Sequence, residues 1–242
     1  MNDTSLEGRT ALVTGASKGL GRGIALALAK EGARVIGVAR PSTDLDDLAS
    51  ELGERGEIWA EDASSDAFLD RIGQLAELDI LINNLGTNRP KPIAEVSDED
   101  LDVMLDLNLR ALYRITRAAL AKMGRGSAIV NVSSQMGHVG SPGRTAYCMT
   151  KHGVEGFTKA LAVELAPQGI RVNSVAPTFI ETPMTKPMLA DPEFSAFVKA
   201  SIPLGHVGTI EDVAAATVYL CSPGARMVTG HSLLVDGGWT AQ

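Results

Sequence analysis

Apolar residues fall along the chain in short, nearly unbroken runs, separated by longer stretches where they recur every three or four positions. The runs lie at 9–14, 34–39, 57–60, 79–83, 128–132, 170–175 and 232–235. Apolarity at successive positions, without alternation, predicts strands whose two faces are both covered. Between the runs, Leu20, Ile24 and Leu28 mark a helix over 20–30, and a second helical pattern fills 101–120. A third spans 142–166, with Val154, Phe157, Leu161 and Leu165 as its apolar stripe. Connections of helical length are what parallel pairing requires. The expected fold is therefore α/β, a single-domain, doubly wound, parallel seven-stranded sheet over 1–242. No internal repeat or linker divides it. The irregular stretch is 176–207, punctuated by Pro177, Pro183, Pro187, Pro192 and Pro203. A segment that long inside a compact domain reads as a substrate-binding lid, the alternative being a plain surface excursion.

Where the first strand meets the first helix stands Thr14-Gly15-Ala16-Ser17-Lys18-Gly19-Leu20-Gly21. Glycines there allow a tight turn and bring a pyrophosphate close to a helix N-terminus, whose free N–H groups favour anions. The second strand ends at Ala39 and Arg40, where a site for NAD would carry a carboxylate for the ribose hydroxyls. A guanidinium there suits a 2′-phosphate instead, with Lys18 as a second positive charge. This favours NADP(H), with NAD(H) possible; the alternative is that both are solvated surface cations.

Tyr147 and Lys151 lie four residues apart near the start of the third helix, on one face. A phenol is a poor acid–base catalyst at neutral pH, and an ammonium beside it is expected to lower its pKa toward the working range. Ser134 closes the fifth strand, at the sheet end where open α/β sheets bind ligands. Asn108, between Leu107 and Leu109, needs a hydrogen-bond partner if buried. It either caps a local bend or positions a water in a proton relay.

Composition narrows the partners. With 22 basic and 29 acidic side chains the net charge is −7, which argues against nucleic acid. No apolar run reaches the ~18–20 residues that span a bilayer, and the N-terminus reads as no signal peptide, so a cytoplasmic protein with no membrane partner is expected. Two cysteines make neither a disulfide framework nor a metal cluster, and no metal site is expected.

Taken together these motifs resemble the short-chain dehydrogenase/reductase family over essentially the whole length. Thr14–Gly21 is similar to its TGxxxGxG, and Asn83-Asn84-Leu85-Gly86 to its NNAG. Asn108, Ser134, Tyr147 and Lys151 match its catalytic tetrad in order and spacing. The resemblance implies a Rossmann-type fold and NAD(P)-dependent interconversion of a carbonyl and a secondary alcohol. It implies that Gly15, Ser17, Lys18, Gly19, Leu20, Gly21 and Arg40 bind the coenzyme, that Asp62 and Ala63 touch adenine, and that Asn83, Asn84, Leu85 and Gly86 flank the adenosine ribose. It places Pro177, Ile180 and Thr182 at the nicotinamide, and a homotetramer or homodimer built through the helices over 101–120 and 147–166 and the last strand. Leu85 for alanine and Thr178 for glycine are departures that reshape the pocket.

For the substrate, Gln135, His138, Arg144, Asn88 and Arg89 are polar candidates beside Ser134 and Tyr147, with Met136, Met184, Met188 and Leu189 as apolar ones. The expectation is a small polar keto compound: a sugar, polyol or hydroxy acid. The alternatives are a 3-oxoacyl thioester on an acyl carrier protein and, in another class, a non-catalytic dinucleotide-binding protein.

Overall fold

The computed structural model describes residues 5–183 and 185–242. Among them, seven strands form one parallel sheet in the order β3-β2-β1-β4-β5-β6-β7. They are β1 (Thr10–Thr14), β2 (Arg34–Ala39), β3 (Gly56–Ala60), β4 (Ile80–Asn83), β5 (Ala128–Val132), β6 (Arg171–Pro177) and β7 (Ser232–Val235). The strands sit within one or two residues of the positions that the apolar runs mark. The chain winds outward through β2 and β3, then returns past β1 to β4 and winds the other way. The order therefore reverses between β1 and β4, where Leu12 pairs with Leu81, and a crevice opens there beyond the strand ends.

The unbroken runs have a simple cause. Ala11 and Val13 of β1, Val35 of β2, and Ile80 and Ile82 of β4 pack into one core. That core also holds Ile24 and Leu28 of α1 (Gly19–Lys30), Leu45 and Leu48 of α2 (Thr43–Leu52), and Val213 and Val218 of α9 (Ile210–Cys221). The intervening Leu12, Ile36, Leu81 and Ile129 point the other way. They meet Phe68 and Ile72 of α3 (Asp66–Gly73), Ile115 of α5 (Ala111–Leu120) and Leu161 of α6 (Thr145–Leu165). The central strands β1, β2 and β4 alternate between two apolar layers, as their period of two requires.

The helical pattern over 101–120 is not one regular helix. Ser97, accepting from Asp100 N, caps α4 (Asp98–Leu105). A π turn, Asp106–Arg110, follows before α5 begins, with Ala111 N bonded to the carbonyl of Asp106. The helix over 142–166 starts three residues later than expected, because Gly143 takes φ +67° and Arg144 becomes its N-cap. Residues 176–207 are more ordered than their prolines suggest. β6 runs through Pro177, and α7 (Lys186–Leu189) and α8 (Pro192–Ala200) occupy much of the rest. Phe179 packs on Phe194 and Trp239, and Phe197 joins the same aromatic group. No helix among the described residues is long and apolar enough to cross a membrane.

Candidate active site

A cavity of about 650 Å³ occupies the crevice at the β1/β4 reversal. Gly15, Ser17, Lys18, Gly19 and Leu20 of the glycine turn form one wall. Arg40 stands at one end, and Asn84, Leu85 and Gly86 follow from β4. Ser134, Tyr147 and Lys151 also line it, as do Pro177, Ile180 and Thr182, the last lying against Gly19 of the turn. The sequence motifs thus meet in one place.

Five expected residues, Gly21, Asp62, Ala63, Asn83 and Asn108, do not line it. Gly21 lies behind the turn, where an added Cβ would overlap Gly15 O and Asn84 Nδ2 and stand 2.9 Å from the Gly15 carbonyl carbon. Ala63 is buried in the second core, and the Asp62 carboxylate accepts from Ser64 N (2.8 Å) and Ser64 Oγ (2.7 Å), closing its own turn. Asn108 is buried in the π turn. Its Oδ1 accepts from Thr87 N (2.7 Å), and its Nδ2 donates to Thr87 O (2.9 Å) and Thr150 Oγ1 (3.0 Å). Both side-chain donors are consumed by protein, so the amide clamps the β4 loop to α6.

Asn83 also departs from its expected place at the ribose. Its Nδ2 donates inward to Thr116 Oγ1 and Asn131 Oδ1, both at 2.9 Å, and Asn131 Nδ2 continues to Thr158 Oγ1 at 2.9 Å. This buried chain ties β4, β5, α5 and α6 together. Asn84 is the residue that faces the turn, donating to Thr14 O (2.9 Å) and Gly15 O (3.1 Å).

A second, smaller cavity of about 180 Å³ adjoins the first and shares Ser134, Tyr147, Asn88, Thr178 and Thr185 with it. Gln135, Met136, Arg144, Phe179 and Met188 complete much of its wall. His138 and Arg89 do not reach it. His138 Nε2 lies 2.9 Å from Ser232 Oγ and 3.5 Å from the buried Glu155 carboxylate, and Arg89 faces Asp100 at 3.9 Å. Met184 lies outside the described residues.

Ser134 Oγ donates to Gln135 Oε1 at 2.8 Å and accepts from Met136 N at 3.1 Å. Lys151 Nζ donates to Val132 O at 2.8 Å and sits 5.6 Å from the centre of the Tyr147 ring. Burial pushes the Tyr147 phenol up to about 12, against the opposing pull of a Ser134 hydrogen bond and the Arg144 guanidinium. The expectation of a lowered phenol is not met in the free protein, because loss of hydration outweighs the nearby positive charge. Burial draws Lys151 down to about 8, while the Glu155 carboxylate one turn along α6 holds it up.

A family profile described as enoyl-(acyl carrier protein) reductase matches residues 15–240. The chain is 40% identical over 241 residues to a 3-oxoacyl-[acyl-carrier-protein] reductase of Vibrio harveyi, covering 97% of this chain and 98% of that protein. It is 38% identical over 242 residues to the L-xylulose reductase of Bos taurus, covering 99% of each. The chain belongs to the short-chain dehydrogenase/reductase family. Among solved structures, one described as a 2-deoxy-D-gluconate 3-dehydrogenase of Agrobacterium tumefaciens, with bound NADP, matches with a TM-score of 0.90, 38% identity and complete coverage of both chains. As a short-chain dehydrogenase/reductase, the protein is an NAD(P)-dependent oxidoreductase.

The residues of this family member fit such a dinucleotide. Gly15 and Gly19 take φ +65° and +54°, which L side chains rarely adopt, so the turn keeps its backbone bare toward the cavity. No acidic residue stands among those lining the large cavity, and Arg40 and Lys18 supply positive charge to its wall. Lys18 is held by Asp44 at 2.7 Å, an exposed pairing that an anion can displace. Thr178 Oγ1 and Ser133 Oγ, both in the wall, are buried without a hydrogen-bond partner among the described residues. The first is the residue that replaces the family glycine, so that departure adds a polar atom to the pocket. Leu85, the other departure, packs partly into the second core while keeping its N–H on Thr14 Oγ1 at 3.2 Å.

Sequence reading missed Gly23, where a Cβ would strike Ile210 of α9, although a third glycine at i+2 was a visible signal. It also missed Glu155, a carboxylate beside Val154 in the apolar stripe and one turn beyond Lys151.

Proposed function

We propose that this chain interconverts a carbonyl and a secondary alcohol with NADP(H), on a small polar compound. The observation that carries the reading is that Ser134, Tyr147 and Lys151 share one cavity with the glycine turn and Arg40. The bound coenzyme supplies the hydride. With its phenol raised to about 12, Tyr147 is protonated at neutral pH and stands ready to donate to the carbonyl oxygen. Ser134 Oγ orients that oxygen, and the Lys151 ammonium holds the coenzyme's ribose and replenishes the phenol. Asn108 acts as a positioning residue through Thr87 and Thr150. Arg40 and Lys18 support NADP(H) over NAD(H), in keeping with the NADP described for the Agrobacterium relative. Ile180 and Thr182 cover the nicotinamide end, as part of a lid over roughly 176–207.

The small second cavity supports a polar substrate of few carbons. A thioester reductase is the second reading. It is favoured by the enoyl-(acyl carrier protein) reductase description, the Vibrio relative, and the apolar Met136 and Met188 in the wall. Assembly as a homotetramer or homodimer is supported by exposed Tyr113 of α5, Met149 and Val163 of α6, and Leu234 of β7.

Tyr147→Phe tests the chemistry. Removing a positioned acid costs ~10²–10⁴-fold in rate, so the variant should bind NADPH and lose most turnover on whichever carbonyl the wild type prefers. Full turnover by the Phe variant would overturn the assignment. Competition between keto-sugars and a 3-oxoacyl thioester decides between the two substrates.

A further inference from the structure

The wall of the second cavity contains a cation without a counter-charge. Arg144 is the N-cap of α6, three residues before Tyr147. Its guanidinium is half-buried, and burial draws its pKa below the ordinary arginine value. Among the described residues, no carboxylate pairs with it and no oxygen accepts a hydrogen bond from it. Other largely covered arginines have partners: Arg9 pairs with Asp79, Arg22 with Glu51 and Arg114 with Asp66, and Arg171 donates to the carbonyls of Leu220 and Ser222. A guanidinium that gives up hydration without a partner is unfavourable, and a planar two-oxygen anion is its best complement.

The neighbouring polar groups are similarly unmatched. Asn88 Oδ1 and Thr178 Oγ1 are buried and unpartnered. Gln135 has its Oε1 engaged by Ser134, while its Nε2 finds no acceptor among the described residues. Arg144, Gln135, Asn88 and Thr178 all line the same cavity of about 180 Å³ as Tyr147. Hydroxyls on a short chain would satisfy the neutral groups, and a carboxylate is the best complement to Arg144.

We propose that Arg144 binds a substrate carboxylate, so that the enzyme acts on a short polyhydroxylated keto acid and its hydroxy acid. Arg144 caps α6 and Tyr147 lies in its first turn. The acid group and the reacting carbonyl oxygen are thus held from the same helix end. This inference rests on the oxidoreductase reading above and narrows its substrate class.

The test compares wild type with Arg144→Met, which keeps the stem's length, and Arg144→Lys, which keeps the charge. With NADPH, kcat/KM is measured for 5-keto-D-gluconate and for the neutral ketose D-fructose. A charged hydrogen-bonded contact predicts that the acid-to-ketose ratio falls on the order of 10²-fold in Arg144→Met, mostly through KM, with partial recovery in Arg144→Lys. L-tartrate should raise the melting temperature of the NADP-bound wild type and not of Arg144→Met. An unchanged ratio, with both substrates losing rate equally, would overturn the proposal and make Arg144 a tuner of Tyr147. If no carbonyl is turned over, the oxidoreductase reading fails. The tartrate shift then still reads the anion site alone, and its absence would overturn that too.

Discussion

Gly21→Ala makes the sharpest test of how the glycine turn is built. The new methyl would stand 2.9 Å from the Gly15 carbonyl carbon and nearer still to the oxygen, where carbon–carbon contact normally needs about 3.5–4.0 Å. Asn84 Nδ2, also in the way, is fixed by its bonds to Thr14 O and Gly15 O. The clash therefore falls on a braced backbone and not on a flexible side chain. Overpacking of this kind costs about 1–3 kcal/mol, which for a chain of this size lowers Tm by about 2–4 °C per kcal/mol. Relief requires Gly15 to move by most of an ångström into the cavity it lines, and misplacements of about 1 Å can cost ~10²-fold. NADPH affinity, followed by its fluorescence, should fall accordingly. Gly23→Ala is the control, since its methyl meets Ile210 of α9 on the far side of α1. It should lower Tm while sparing NADPH affinity. Unchanged NADPH binding in Gly21→Ala, or an equal loss in Gly23→Ala, would refute the reasoning.

Arg40→Asp should weaken NADPH binding about tenfold or more, improve relative use of NADH, and flatten the salt dependence of coenzyme preference; tighter NADH binding by the wild type would contradict it. Glu155→Gln removes the charge that holds Lys151 up, so the ammonium, near 8 in the wild type, should lose its proton at lower pH. The alkaline limb of kcat/KM should move to lower pH in that variant, whereas a purely packing role would leave the limb in place. Asn131→Ala cuts the bond from Asn83 and the bond to Thr158, leaving buried groups unpaired; about 2–4 kcal/mol of stability should go, read by urea unfolding.

The sheet was legible because its two-sided burial writes itself into the sequence as unbroken apolar runs. Tyr147, Lys151, Ser134 and the glycine turn were legible because each sits at a strand or helix end that those runs locate. What stayed hidden depends on direction rather than position. Asn83 and Asn84 are adjacent and chemically identical, yet alternation along the strand turns one into the core and the other onto the turn. His138 follows Ser134 closely, but the short 3-10 turn Gln135–Gly137 carries it around toward Glu155 and Ser232. Nor could spacing foretell that burial would raise Tyr147, since that balance is set by everything packed around the phenol.

The π turn at Asp106–Arg110 acts as a phase slip between two stretches of otherwise ordinary helix. One surplus residue is accommodated there, and the surplus turns the Asn108 amide toward Thr87 and Thr150 at once. Deleting a single residue from this turn would restore regular i→i−4 bonding, so α4 and α5 would run on as a straighter, more conventional rod. The same deletion would rotate everything before it by about 100° relative to α5, and the clamp between the β4 loop and α6 would lose its aim. At this point, local regularity and the alignment of the site are opposed, and the irregular helix is the one that serves the cavity.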